Sequence, residues 1–269
     1  MTHLRRARRM FQLLLLGTAM LSPCSLAFAQ ASTASSEKTT APKSQPRVVA
    51  STSWVAAFAK AAGIADVTLV APANLQHPPD YDPKPSDLAA IAKADFVLAA
   101  GFEGFASRMK EASGSKAEVI NFHVDNKPEN IKKQVMMLAE KFGTQKAATA
   151  WIARFDKRIA ELGQEIGRAI PQPAPKAVAQ MWMTYWVPFA GMDLAGTYGA
   201  KPTTARESAK LAAIKPDFII INAHTQGRNL FDDFPAKQIV LYNFPPENNL
   251  DLIAIFERNA QSILQAVKK

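Results

Sequence analysis

From Val48 onward, short unbroken apolar runs alternate with longer stretches in which apolar residues recur at helical spacing. A short apolar run bounded by turn residues marks a buried strand, and a period near 3.6 marks an amphipathic helix. The pattern predicts strands at Val48 to Ala50, Val67 to Val70, Phe96 to Ala99 and Val119 to Phe122. Helices are predicted between them at Trp54 to Ala62, at Ser86 to Ala92 with Ser86 as N-cap, and at Phe105 to Ser113. Strands joined by crossover helices form a parallel sheet.

A second pattern begins at Pro128, a first-turn proline, and runs amphipathically from there to Phe142, with Gly143 as its stop. Beyond it, Trp151, Ile152, Phe155, Ile159, Leu162 and Ile166 share one face, opposite Arg154, Lys157, Arg158, Glu161 and Glu165. That spacing predicts one helix of roughly seven turns over residues 144–170. After the breaker PQPAPK, strands are predicted at Ala177 to Met183, Phe218 to Ile221 and Ile239 to Leu241, with helices at Thr204 to Ile214 and Leu250 to Val267. The expected fold is α/β: two βα lobes with parallel sheets, residues 47–143 and 171–269, joined by one long backbone helix. No repeat of fixed period is present.

The head of the chain reads differently. Arg5, Arg6, Arg8 and Arg9 precede the apolar run Phe11 to Leu21, and Ala27-Phe28-Ala29 offers a cleavage site, so residues 1–29 read as a secretory signal. A lipid anchor on Cys24 is disfavoured by Pro23, which stands where a small residue is expected; Arg8-Arg9 before Phe11 leaves a twin-arginine signal as the minor reading. Residues 30–46 lack large apolar side chains and read as a disordered tether. The formal charge of +9 contains the four signal arginines, so the remainder carries 9 − 4 = +5. Those charges are spread along the chain without a dense basic block, which argues against nucleic-acid binding. The single cysteine leaves with the signal, so no disulfide supports the mature core.

Three histidines remain, each just past a strand end: His77 in the proline-rich loop Gln76 to Leu88, His123, and His224. In open α/β sheets ligands bind outside the carboxyl ends of the strands, so these positions can meet at one site, two from the first lobe and one from the second. Three imidazoles plus one oxygen donor make an ordinary zinc site. Glu103, also past a strand end, is the candidate fourth ligand, although a helix N-terminal carboxylate accounts for it equally well. Asp80 and Asp82 are weaker candidates, explained as turn formers. The prolines predict an extended, non-helical loop that holds His77 in place. Binding by neutral imidazole weakens as pH falls through ~6.5. The cluster MWMTYWVPF reads first as core or lobe-interface packing.

Three stretches carry a resemblance to the periplasmic metal-binding solute-binding proteins of ABC importers for zinc and manganese. His77 through YDPKPSDL, followed by AAIAKADFVLAAGFE, resembles the family's His-x-Tyr-Glu-Pro-x-Pro-Ser-Asp-Leu loop. His123-Val124 with Pro128-Glu129-Asn130 is close to its His-Val-Trp-Leu-Asp-Pro-Glu-Asn, and KPDFIIINAH with LYNFPP is a weaker match that brings in His224. The resemblance implies two lobes on a rigid helix, His77 and His123 as ligands with His224 a looser match, and one divalent transition-metal ion, zinc before manganese, as cargo. It also implies delivery by a periplasmic monomer to an inner-membrane ABC permease, with no catalysis. The chain departs from the family pattern in its His77–Tyr81 spacing, in Gln180 where a histidine is common, in Asn243 near the late aspartate, and in having no histidine-rich loop. Two other readings are a carrier of metal chelates (siderophore, haem or corrinoid), with Trp182, Tyr185 and Trp186 lining the cleft, and an exported metallohydrolase with Glu103 as base. HExxH and GxSxG are both absent.

Overall fold

The computed structural model describes residues 45–199, 201, 203–225, 231, 234–245 and 249–268. The expected signal at 1–29 and nearly all of the expected tether lie outside the described residues. Gln45 is already tied down: its side chain donates to Gly63 O at 3.1 Å and accepts from Ala65 N at 2.9 Å.

The first sheet contains β1 (Val48–Ala50), β2 (Val67–Leu69), β3 (Phe96–Ala99) and β4 (Glu118–Asn121), all parallel, in the order β2-β1-β3-β4. The second contains β5 (Lys176–Gln180), β6 (Asp193–Tyr198), β7 (Phe218–Asn222) and β8 (Lys237–Leu241), parallel in the order β6-β5-β7-β8. The two orders match strand for strand, so the topology repeats where the sequence shows no period.

Strand β6 was not expected. Asp-Leu-Ala-Gly-Thr-Tyr has no apolar run, because β6 is an edge strand with Asp193, Leu194, Ala195 and Thr197 exposed. Gly196 in this strand is closely packed: a Cβ there would lie 2.7 Å from Ile214 Cδ1, whose side chain would have to turn aside.

The helices are α1 (Ser53–Ala61), α2 (Pro85–Ile91), α3 (Ala106–Ser113), α4 (Pro128–Phe142), α5 (Gln145–Ala169), α6 (Trp186–Phe189), α7 (Ala205–Ala213) and α8 (Leu252–Lys268). Their ends follow local chemistry. Thr52 caps α1 by accepting from Val55 N, and Thr204 and Glu207 form a reciprocal capping box on α7. Gly143 ends α4 in the left-handed region at φ 71°. The proline-rich loop corrects two expectations. It is not extended throughout, because Pro78–Asp80 forms a 3₁₀ turn, and the N-cap of α2 is Lys84, with Pro85 at the first helical position and Asp87 accepting from Lys84 N at 2.8 Å. Proline's fixed φ suits a first helical turn as well as an extended segment.

One continuous core runs between the sheets. It joins Val48, Ala50 and Leu98 of the first sheet to Ala177, Ala179 and Ile220 of the second through α1, α4, α5 and α8. Smaller clusters cover the opposite faces, under α2 and α3 on the first sheet and under α7 on the second. Helix α5 buries Ala148, Trp151, Phe155, Leu162 and Ile166, the face its periodicity marks. It is tied to the α8 segment by Trp151 Nε1 donating to Asp251 Oδ1 at 3.3 Å and Arg158 Nε to Glu257 Oε1 at 2.7 Å. Among the described residues no helix is long and apolar enough to cross a membrane.

Candidate metal-binding cleft

In both sheets the strand order reverses between the first and third strands, and residues past the ends of every strand but β6 line one cavity of about 550 Å³. The first lobe lines it with Trp54 after β1, His77 and Asp80 after β2, Phe102 after β3, and His123 to Lys127 after β4. The second lobe lines it with Met181, Trp182 and Tyr185 after β5, Asn222 at the end of β7 and His224 after it, and Asn243 and Phe244 after β8. The three histidines expected to converge therefore face the same space. Among the described residues, however, no three His, Cys, Asp or Glu side chains stand close enough together to hold one ion.

Each histidine is set differently. His224 Nδ1 lies 3.2 Å from Gln76 O across the cleft; a carbonyl only accepts, so Nδ1 carries the proton and Nε2 presents its lone pair. That Nε2 is out of solvent and has no hydrogen-bond partner. Burial pushes the imidazole pKa down to about 4, with the nearby Arg258 and His77 acting in the same direction against the Gln76 carbonyl. The ring also meets Phe244, with centroids 4.5 Å apart. His77 is half-buried, with Nδ1 2.8 Å from Asp80 Oδ2 but off the line of a hydrogen bond. His123 is the most open, 72% exposed in its side chain, with Nε2 3.3 Å from Asp125 Oδ2. Its loop is held by Asn130 of α4, which donates to His123 O at 3.2 Å and Asp125 Oδ1 at 3.0 Å.

The depressed pKa makes the metal-free fold sensitive to acid. Above pH 6.5 His224 is neutral both folded and unfolded, and its stability contribution is fully present. Between pH 6.5 and about 4 the unfolded chain binds a proton that the folded chain resists, so stability falls as pH falls. The loss reaches at most ~3 kcal/mol. Thermal unfolding of metal-stripped protein across pH 4–7 measures it, and His224→Phe is expected to flatten that part of the profile.

Glu103 departs from the expectation. It is 4% exposed and does not line the cavity. Its Oε1 accepts from Ser51 Oγ and from Ala100 N at 3.0 Å, and its Oε2 from Gly101 N at 2.7 Å. The carboxylate clamps the end of β1 to the end of β3, and both oxygens are engaged. Glu103→Ala is expected to cost ~1–3 kcal/mol by leaving buried donors unpaired. A urea melt measures the cost, and a metal-loading assay on the same variant, expected to keep its stoichiometry, separates clamping from ligation. Asp82, also weighed as a ligand, is paired with Arg108.

The MWMTYWVPF stretch divides. Met183 and Trp186 are core residues, as expected for the cluster, whereas Met181 and Trp182 are about half exposed on the cavity. Gln180 Oε1 accepts from Trp182 N at 2.8 Å, while its buried Nε2 has no partner. Several lining residues were not anticipated: Trp54, Phe102, Asn126 and Lys127. Their position just past strand ends is the signal that marks them. Asn126 Nδ2 donates to Asn243 Oδ1 at 3.1 Å, a bond between the loops of the two sheets, both partners buried.

Two matched parallel sheets on a long helix, with a cavity between their strand ends, define a solute-binding protein of the helical-backbone class. The chain belongs to the ZnuA family, described as zinc-uptake complex component A, periplasmic, whose profile matches residues 48–217. Proteins of this family are metal-binding components of transport systems and not enzymes, which sets the hydrolase reading aside. Solved structures give the same fold. The Mn²⁺ complex of the solute-binding protein FpvC from Pseudomonas aeruginosa has a TM-score of 0.64 at 17% identity, covering 83% of this chain and 98% of that one. The laminin-binding protein Lmb of Streptococcus agalactiae, described as a bifunctional adhesin and metal transporter, has 0.63 at 16%, covering 82% and 99%. The Mn-bound periplasmic metal-binding protein of Candidatus Liberibacter asiaticus has 0.60 at 14%, covering 83% and 100%. No curated protein sequence matches the chain.

Proposed function

We propose that this chain captures a divalent first-row metal ion, zinc before manganese, in the cleft between lobes 47–143 and 171–269, and delivers it to an ABC permease of the inner membrane. It reaches the periplasm under the signal at 1–29 and acts as a monomer. His77, His123 and His224, which line one cavity but stand too far apart in the metal-free fold to share an ion, draw together on it as ligands, and Glu103 positions the loops behind them.

The observation that carries this reading is the state of His224. Its Nδ1–H is held by a backbone carbonyl and its Nε2 is buried, neutral and unpartnered, the arrangement by which proteins orient an imidazole for a metal. His77 faces the same cavity closely enough to perturb His224. Neutral nitrogen donors favour zinc over manganese, whose preference is for oxygen. The manganese complexes of FpvC and of the Liberibacter protein support manganese as the second choice.

The test is metal content by mass spectrometry after exposing purified protein to equal zinc, manganese and nickel. One zinc per chain is expected, with retention strongly reduced in His77→Ala and His123→Ala. Failure to retain any of the three ions would overturn the reading.

A further inference from the structure

Two contacts between the lobes meet on one short segment of the second lobe, Tyr242 to Phe244, just past β8. Asn243 Oδ1 accepts from Asn126 Nδ2 of the first lobe at 3.1 Å, and both side chains are buried. The ring of Phe244 lies 5.3 Å from that of Trp54, also of the first lobe. Phe244 and Tyr242 in turn flank the His224 ring, with centroids 4.5 Å and 5.8 Å away.

This segment is fixed from behind. Asn259 of α8, fully buried, pairs its carboxamide with both backbone groups of Tyr242: Oδ1 accepts from Tyr242 N and Nδ2 donates to Tyr242 O, each at 2.9 Å. One residue earlier on the helix, Arg258 lays its guanidinium over the Tyr242 ring, 3.2 Å from the centroid. A buried amide satisfied at both ends holds its place firmly, so Asn243 is presented to the first lobe by α8 and not by a free loop. The loop that carries Asn126 is held as well, by Asn130 of α4 donating to His123 O and Asp125 Oδ1. The bond between these two fixed points is only half made. Asn126 Oδ1 is out of solvent and has no partner, so the pair rests on a single neutral hydrogen bond, a contact that holds and yet breaks under modest load.

Resting on the metal-binding reading, we propose that Asn126 and Asn243 are positioning residues that latch the His123 loop to the second lobe and set how fast a bound ion leaves. Neither touches the ion. Once the histidines have drawn onto it, the latch opposes the parting of the two lobes that frees it, because Asn126 shares its loop with His123 and Asn243 shares its segment with the rings that flank His224. Affinity is then tuned through the rate of release, the step on which most differences between related complexes fall.

The experiment mixes zinc-loaded protein with an excess of chromophoric chelator in stopped flow and times zinc uptake by metal-free protein separately. Asn126→Ala and Asn243→Leu each remove the bond, and each is expected to release zinc about fivefold faster than the parent, with uptake changed by less than about twofold; the two ends give independent variants should either fail to fold. Asn243→Asp has nearly the size of Asn243→Leu but keeps an acceptor for Asn126 Nδ2, so it is expected to release zinc no faster than the parent, a contrast that a role in packing alone would not produce. The double variant Asn126→Ala with Asn243→Leu is expected to match the single variants, because one bond is lost only once. Release unchanged in the single variants, or a double variant whose effect is the product of the two, overturns the proposal while zinc binding stands. A parent protein that holds no zinc overturns the metal-binding reading as well.

Discussion

Replacing His224 by alanine is expected to weaken zinc binding by about 10²–10³-fold, roughly 3–4 kcal/mol. Of the three imidazoles it is the most completely prepared. Its proton is committed to Gln76 O, so Nε2 keeps its lone pair without a tautomeric shift, and the nitrogen is already stripped of water. The cost of desolvating that nitrogen is therefore met in the fold itself, and an arriving cation recovers it. His224 is also the second lobe's only imidazole, so its loss leaves the ion held from one side. Competition against a chromophoric chelator at pH 7.5 measures the change, with a thermal melt of the metal-free variant as a control for folding. An affinity within threefold of the parent would remove His224 from the ligand set.

The largest expected effect on stability is at Phe256. Phe256→Ala is expected to cost ~3–5 kcal/mol, as for other fully buried aromatic residues truncated in a core. Phe256 of α8 is buried at the meeting point of three helices. Its ring lies 5.4 Å from Phe155 of α5, 4.9 Å from Trp186 and 5.8 Å from Phe189 of α6, mostly edge to face. The cavity left by alanine would be walled by rigid aromatic rings that cannot collapse into it, which places the cost high in the range. Urea unfolding followed by fluorescence and circular dichroism tests this. A loss under ~1 kcal/mol would mean that this junction yields freely.

Much of the cavity's lining was legible along the chain because strand ends are. An apolar run that stops at a polar residue marks where a parallel strand emerges, and His77, His123 and His224 all follow such stops. Glu103 follows one too, and there the rule misleads. Nothing in AGFEGF says that the carboxylate turns inward to Ser51 and the Ala100 and Gly101 amides instead of toward the cleft. The aromatic cluster was legible as a group but not residue by residue. Trp182 and Trp186 stand four apart with the same chemistry, yet one is about half exposed and the other is in the core. Edge strand β6 was invisible for a related reason: a strand paired on one side and exposed along most of its length needs no apolar run.

By itself the sequence determined the order of strands and helices apart from edge strand β6 and the short helix α6, the long helix from about 144 to 170, and three histidines at strand ends. Each of these depends on periodicity or on residues close along the chain, where side-chain chemistry acts within a turn or two. Tertiary structure alone decided which residues share the cavity and which polar atoms are left unpartnered within it. It also decided that two sheets without sequence repeat adopt one topology. Those outcomes join residues more than a hundred positions apart, as Asn126 meets Asn243 and Gln76 meets His224. They follow from how the two lobes pack around α5 and α8, which no local pattern encodes.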